Sequence, residues 1–286
     1  MVQLLEQDIK TKEVLDWQGV HLIHFSGSSC SQKTRIFLNL KGIAWESHPL
    51  NLVAQDNYKP WFLGINPRGL VPVLVHNGVV HIESNDILQY LDDTFPTPKL
   101  IPDSQRTGII DGLKEEDDLH LDVRTLTMRF VLPKFLAQKK PAALQAFEQD
   151  AGTIEGAKDP HKEVELEFWN NYAKHGVTDE QASQAANNFR AVYERFEKVL
   201  NMTPYLQGQT LTLLDIAWFI YTHRLASAGY PFRRLHPRVF DWYRNLLDRP
   251  DFSKEVASPP PLKLVSGALH LVQRLKGATL SNVSGF

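Results

Sequence analysis

A strand pattern from Val20 to Phe25 runs into Ser26-Gly-Ser-Ser-Cys-Ser-Gln-Lys-Thr-Arg35, and Ile36, Phe37 and Leu40 follow at helical spacing. The chain must turn a strand into a helix within a few residues, and it fills that corner with hydroxyls and a thiol. A helix start presents unpaired backbone N–H groups and a partial positive charge. Ser28, Ser29, Cys30 and Ser31 therefore stand where an anion, above all a thiolate, is stabilised. One serine there is explained by helix capping alone. Four consecutive oxygen and sulfur side chains point to function.

The next landmarks come in a fixed order. Asn66-Pro-Arg-Gly-Leu-Val-Pro72 leads into Val73-Leu-Val, and an Asn77-Gly78 turn joins it to Val79-Val-His-Ile82. Asn-Gly supplies the positive φ of a tight turn, so the two runs predict an antiparallel hairpin. Pro72 at a strand start marks an edge strand or a cis bond. Glu83-Ser84 then opens a helix with Ile87, Leu88, Leu91 and Phe95 on one face.

These three segments together resemble the glutathione-binding half of a glutathione transferase, over about the first third of the chain. Thr212-Leu-Leu-Asp215 reads as a capping box and matches a further mark of that family. The hydroxyl and thiol loop is similar to the zeta and theta serine enzymes and to the tetrachlorohydroquinone reductive dehalogenases, whose nucleophile is a cysteine matching Cys30. Ser31-Gln-Lys, Pro60-Trp-Phe, His223-Arg-Leu and the tail resemble the ganglioside-induced differentiation-associated proteins.

The resemblance implies an α/β thioredoxin-like domain followed by an all-α domain. Residues 1–19 form an extension, 20–95 the glutathione-binding domain, 96–104 a proline-rich linker, 105–257 the helical substrate domain, and 258–286 an amphipathic tail. Helical patterns run from Ser104 to about Gln138, from about His161 to Leu200, and near 213–228 and 237–248. The stretch 139–159, rich in glycine and proline, reads as loop that lengthens the second domain.

The implied chemistry is glutathione-dependent transfer to a small hydrophobic or quinone-like electrophile. Ser28 is the expected partner of the glutathione thiolate. Cys30 is the alternative reactive group, as nucleophile or as resolver of a mixed disulfide, unless it is simply packed. Ser29 and Ser31 complete the loop. Val71, with a cis bond to Pro72, would pair with the cysteinyl unit like an added strand. Glu83 would accept the γ-glutamyl ammonium, and Ser84 would hold that unit's carboxylate. Many relatives carry Lys or Gln before the Val-Pro pair, where this chain has Leu70; Lys59 or Arg68 would have to hold the glycyl carboxylate. His120 and Arg124 are the candidates for the second substrate.

Composition narrows the class. Net charge is −2 and hydrophobic content is 43%, which marks neither disorder nor nucleic-acid binding. A single cysteine excludes an internal disulfide and fits a reducing compartment. No apolar run approaches a membrane span, and the first residues lack a secretory core. A cytoplasmic homodimer with no metal is expected. Leu264, Val265, Ala268, Leu269, Val272 and Leu275 form one helical stripe, expected to pack on protein rather than lipid. The alternative reading of the whole is a transferase-fold scaffold without turnover, associated with a membrane through this tail.

Overall fold

The computed structural model describes residues 2–286; Met1, the start of the expected extension, lies outside them. The apolar residues of Val20–His24 (β1) and Val73–His76 (β3) are buried, as is Val80 of Val79–His81 (β4), and Glu46–Pro49 (β2) is mostly exposed. They form one sheet in the order β2-β1-β3-β4. β1 pairs parallel to β2 and antiparallel to β3, and β3 and β4 form the expected hairpin. The bond before Pro72 is cis, and β3 is an inner strand rather than an edge.

Ser29–Lys41 (α1), Pro60–Leu63 (α2) and Ser84–Thr94 (α3) complete this region. α1 ends at Gly42 in the left-handed region (φ 64°), where a residue without Cβ is unstrained. Buried polar contacts tie α1 to α3: the Lys41 ammonium lies 2.6 Å from Asp92, and Lys33 donates to Asn85 at 2.7 Å. Lys41 also donates to the Pro98 carbonyl at 2.6 Å, which gives its buried charge a second acceptor.

Two features differ from the sequence reading. The N-terminal segment is not peripheral: Gln3 bridges to His81 of β4, and Leu4, Ile9 and Val14 enter the core with Ile23, Val73 and Val75. The segment 138–175 belongs to the sheet-bearing unit, not to the helical one. Contacts divide the chain into residues 1–98 with 138–175, and 99–137 with 176–286. Phe147 stacks on Tyr58 at 4.7 Å, Lys139 donates to the Leu52 carbonyl, and Thr153 donates to Asp8 at 2.5 Å. The loop-like stretch also contains a helix, Pro141–Gln149, that Pro141 opens at its first turn.

In the helical unit, the expected long first helix is broken at Leu119 into Arg106–Asp118 and His120–Phe130. The core helix Leu213–Ala228 begins at Thr212. The Asp215 carboxylate accepts from the Thr212 N–H (2.9 Å), the Leu206 N–H (2.9 Å) and Trp242 Nε1 (3.1 Å). Burial pushes the Asp215 carboxyl up against the pull of these donors. The tail helix, Pro260–Leu275, leaves part of the expected apolar stripe uncovered by its own chain. It bonds through polar groups, with Ser266 and His270 donating to the carbonyls of Val131 and Phe130, while Leu264, Leu271, Val272 and Leu275 are exposed. The chain end beyond it docks instead: Leu280 is buried, and Phe286 meets the Tyr230 ring at 5.4 Å. No helix of the described residues is long and apolar enough to cross a membrane.

Candidate active site

Ser28 is the N-cap of α1. It has extended backbone, and its Oγ accepts from the Ser31 N–H at 3.3 Å. A hydroxyl that accepts from a backbone N–H keeps its own proton free to donate. Ser29 and Cys30 occupy the first turn, and both are half-buried. Ser31 is fully buried, and its hydroxyl accepts from the Phe25 N–H at 3.4 Å. The accessible members of the loop are therefore Ser28, Ser29 and Cys30. Arg35 fixes the loop from below, donating to the carbonyls of Phe25 (3.3 Å) and Ser26 (3.2 Å).

Glu83 and Ser84 stand at the start of α3. Glu83 is the N-cap residue, held at φ 64° and ψ 115°, and no side chain caps this end. A non-glycine residue in this region costs of order 1–3 kcal/mol and persists only where its surroundings fix it. Those surroundings include Arg68, which donates to the Glu83 carboxylate at 2.5 Å. Arg68 also grips Asp159 with two bonds, Nε to Oδ2 at 2.5 Å and Nη2 to Oδ1 at 3.1 Å. Burial pulls the Arg68 pKa down, but the hydrogen bonds and charges of Asp159 and Glu83 outweigh it and raise the value. With one cation between two carboxylates, the group carries a net charge of about −1.

Asp159 was not singled out by the sequence. A buried arginine demands a counter-charge, but only the structure shows that Arg68 is buried. Nothing in the spacing says that the partner lies 91 residues away. Asn66 shapes the same segment: its side-chain amide donates to the Leu70 carbonyl at 2.8 Å, and its side-chain oxygen accepts from the Arg68 N–H. Val71 follows, buried, with its cis bond to Pro72.

The other sequence candidates already have partners of their own. Lys59 is 67% exposed and pairs with Asp56 at 2.6 Å. Arg68, the alternative holder of a glycyl carboxylate, is already committed to Asp159 and Glu83. His120 and Arg124 belong to the helical unit. His120 Nδ1 meets the Tyr221 hydroxyl at 3.0 Å, and Arg124 approaches His120 Nε2 at 3.4 Å.

Comparison with known proteins identifies the family. Residues 27–94 match the family model "Glutathione S-transferase, N-terminal domain", and residues 158–257 match "Glutathione S-transferase, C-terminal domain", together more than half the chain. A glutathione S-transferase, Z2, of Arabidopsis thaliana is 36% identical over 124 residues, which covers 40% of this chain and 53% of that protein. Maleylacetoacetate isomerase of Mus musculus is 38% identical over 92 residues, 31% of this chain and 43% of that protein. The chain thus matches about half the length, or less, of these curated relatives. Among solved structures, a β-etherase from Sphingobium superposes with a TM-score of 0.69 at 25% identity, covering 83% of this chain and 98% of that one. A Phanerochaete chrysosporium glutathione transferase, solved with oxidized glutathione, superposes at 0.59 and 18% identity over 88% of this chain and 98% of that one. The chain belongs to the glutathione transferase family.

Proposed function

We propose that this chain is a glutathione-dependent transferase that ionises the bound thiol at the start of α1 and directs the thiolate at a small hydrophobic or quinone-like electrophile. The observation that carries the reading is the pairing, within one unit, of two helix N-termini with different finish. One carries a hydroxyl free to donate, and the other is left without a side-chain cap.

Free thiols titrate near 8.5, so glutathione at neutral pH is mostly protonated. A hydrogen bond from Ser28 and the N–H groups of α1 would favour the anion. A lowering of about two units corresponds to about 2.7 kcal/mol. Cys30, in the same first turn, is the second candidate for contact with sulfur. Ser29 would assist from the first helical position. Val71 would pair with the peptide backbone of the cysteinyl unit, next to Pro72.

At the other end, Ser84 would hold the γ-glutamyl carboxylate through its N–H and hydroxyl. The net negative charge of Arg68, Glu83 and Asp159 suits the ammonium of the same unit. His120 and Arg124 are assigned to the electrophile, where a guanidinium suits an anionic or quinone-like group. Thiolate attack at carbon is the step shared by conjugation, ether cleavage and cofactor-assisted isomerisation. The β-etherase and isomerase names of its relatives therefore fit one mechanism. We also assign the chain a homodimeric state, which would give the exposed apolar residues of Pro260–Leu275 a protein neighbour.

The scaffold reading rests on Leu70 and on the commitment of Arg68, which leave the glycyl carboxylate weakly provided for. One experiment separates the two. Titrating glutathione into the protein while following thiolate absorbance across pH tests activation, and a panel of quinones, aryl ethers and maleyl compounds tests turnover. An enzyme shifts the thiol pKa down and consumes at least one class. Binding with an unshifted thiol and no turnover would establish the scaffold.

A further inference from the structure

The outer strand pair of the sheet holds a second group of chemistry-bearing side chains that the glutathione site does not use. His21 on β1 is in register with Glu46 on β2, and His48 follows Glu46 by two residues, so all three emerge on one face. His21 Nδ1 lies 3.0 Å from His48 Nε2. Glu46 places Oε2 3.5 Å from His21 Nδ1 and Oε1 3.4 Å from His48 Nε2. We propose that His21, Glu46 and His48 form a binding site for one divalent transition-metal ion of the zinc class.

The distances fit such an ion. Zinc bonds to imidazole nitrogen and carboxylate oxygen are about 2.0–2.2 Å, so two donors of a tetrahedral site lie roughly 3.3–3.5 Å apart. The three donors therefore already stand near the spacing the metal would impose. Two imidazoles and a carboxylate are also the donor set that suits zinc, nickel or copper rather than calcium or magnesium.

The rings are held in place from outside the triad. His21 Nε2 lies 2.8 Å from the Gln18 carbonyl, so it carries the ring proton and leaves Nδ1 as the lone-pair nitrogen. A ligating histidine commonly donates its second nitrogen to a carbonyl in this way. The Trp17 ring stacks on His48 with centroids 4.3 Å apart and planes 13° from parallel. Without metal, His48 donates its Nε2 proton to His21. A bound ion takes that position, and the His48 proton moves to Nδ1. Glu46 is 65% exposed, so the fourth coordination position opens to solvent. The ion would join the edge strand β2 to the buried strand β1.

The test uses the full chain, stripped with chelator and then titrated with Zn2+ by calorimetry, with Co2+ as a spectroscopic probe. The expected result is one equivalent of Zn2+ per chain, a tetrahedral Co2+ visible spectrum, and a rise in melting temperature with Zn2+. Glu46→Gln and His48→Asn, both on the edge strand, should each weaken binding at least about tenfold, with circular dichroism unchanged. Cys30→Ser should leave Zn2+ uptake intact. Absence of stoichiometric uptake by the wild-type chain would overturn the proposal. So would tight binding that survives Glu46→Gln and His48→Asn, or that disappears with Cys30→Ser.

Discussion

The two helix starts of the candidate active site are built in opposite ways. α1 is self-sufficient: Ser28 has ordinary extended backbone, and its side chain caps the helix at 3.3 Å. α3 is not. Its N-cap residue, Glu83, has a positive φ and makes no capping bond; its carboxylate is held by Arg68, which is anchored in turn by Asp159 from a distant segment. A local cap needs only neighbouring residues, whereas a residue at φ 64° needs tertiary support. The first start should therefore survive changes elsewhere in the unit, and the second should depend on them.

The largest effect is expected from Arg68→Met. It leaves the carboxylate of Asp159, 11% exposed, without its cation. Stranding one partner of a buried pair costs about 3 kcal/mol or more. Chemical denaturation should register that loss, and hydrogen exchange should show amides at the start of α3 opening while those of α1 stay protected. Equal loosening of both helices would break the contrast.

Acid should act on the same side through His81 of β4. The ring is 1% exposed, stacks on Tyr90 at 3.9 Å, and has no hydrogen-bond partner for either nitrogen among the described residues. Burial, with a smaller contribution from His76, lowers its pKa from 6.5 to about 4. The unfolded chain thus takes up the proton first as pH falls. The contribution of His81 is full above pH 6.5 and is lost as pH drops toward about 4, amounting to about 3 kcal/mol. His81→Phe should flatten that part of the stability profile. A wild-type stability that does not change between pH 7 and pH 5 would contradict the assignment.

Ser28→Ala is expected to lower turnover by more than tenfold, because a lost thiolate bond is worth at least ~1.4 kcal/mol to the anion. The lost cap should also cost about 1 kcal/mol of stability. Thiolate absorbance against pH separates the two effects, since only the first raises the thiol pKa. If Ser28→Ala keeps full activity while Cys30→Ala abolishes it, sulfur activation belongs to the cysteine.

The smallest effect is expected from Lys59→Ala. The ammonium is exposed and paired with Asp56, and such surface pairs contribute about 0–1 kcal/mol. Glutathione affinity should change less than about twofold by calorimetry. A tenfold loss would show that Lys59 leaves Asp56 to hold the glycyl carboxylate.

Local chemistry was readable in the residues. The serine corner, the Asn-Gly hairpin, the proline that follows Val71 and the Glu-Ser helix start all depend on neighbours within a few positions. Each has a steric or hydrogen-bonding signature of its own. The Asp215 side of the capping box could be read for the same reason. The stripe in the tail was equally legible as a helix, but periodicity records which residues share a face and not what covers them. The structure turns polar Ser266 and His270 toward their own unit and leaves Leu264 and Leu275 outside.

By itself the sequence determined the hairpin and the helix that follows it, the loop of donors at the start of α1 and the family to which the chain belongs. Tertiary structure alone decided that residues 138–175 join the sheet-bearing unit and that Asp159 anchors Arg68. It also decided that Ser31 is sealed from solvent, and that His21 and His48 meet across two strands. The physical reason is range. Backbone preferences and caps act over three or four residues, while desolvated charges and side chains on adjacent strands select partners by position in space, whatever their separation along the chain.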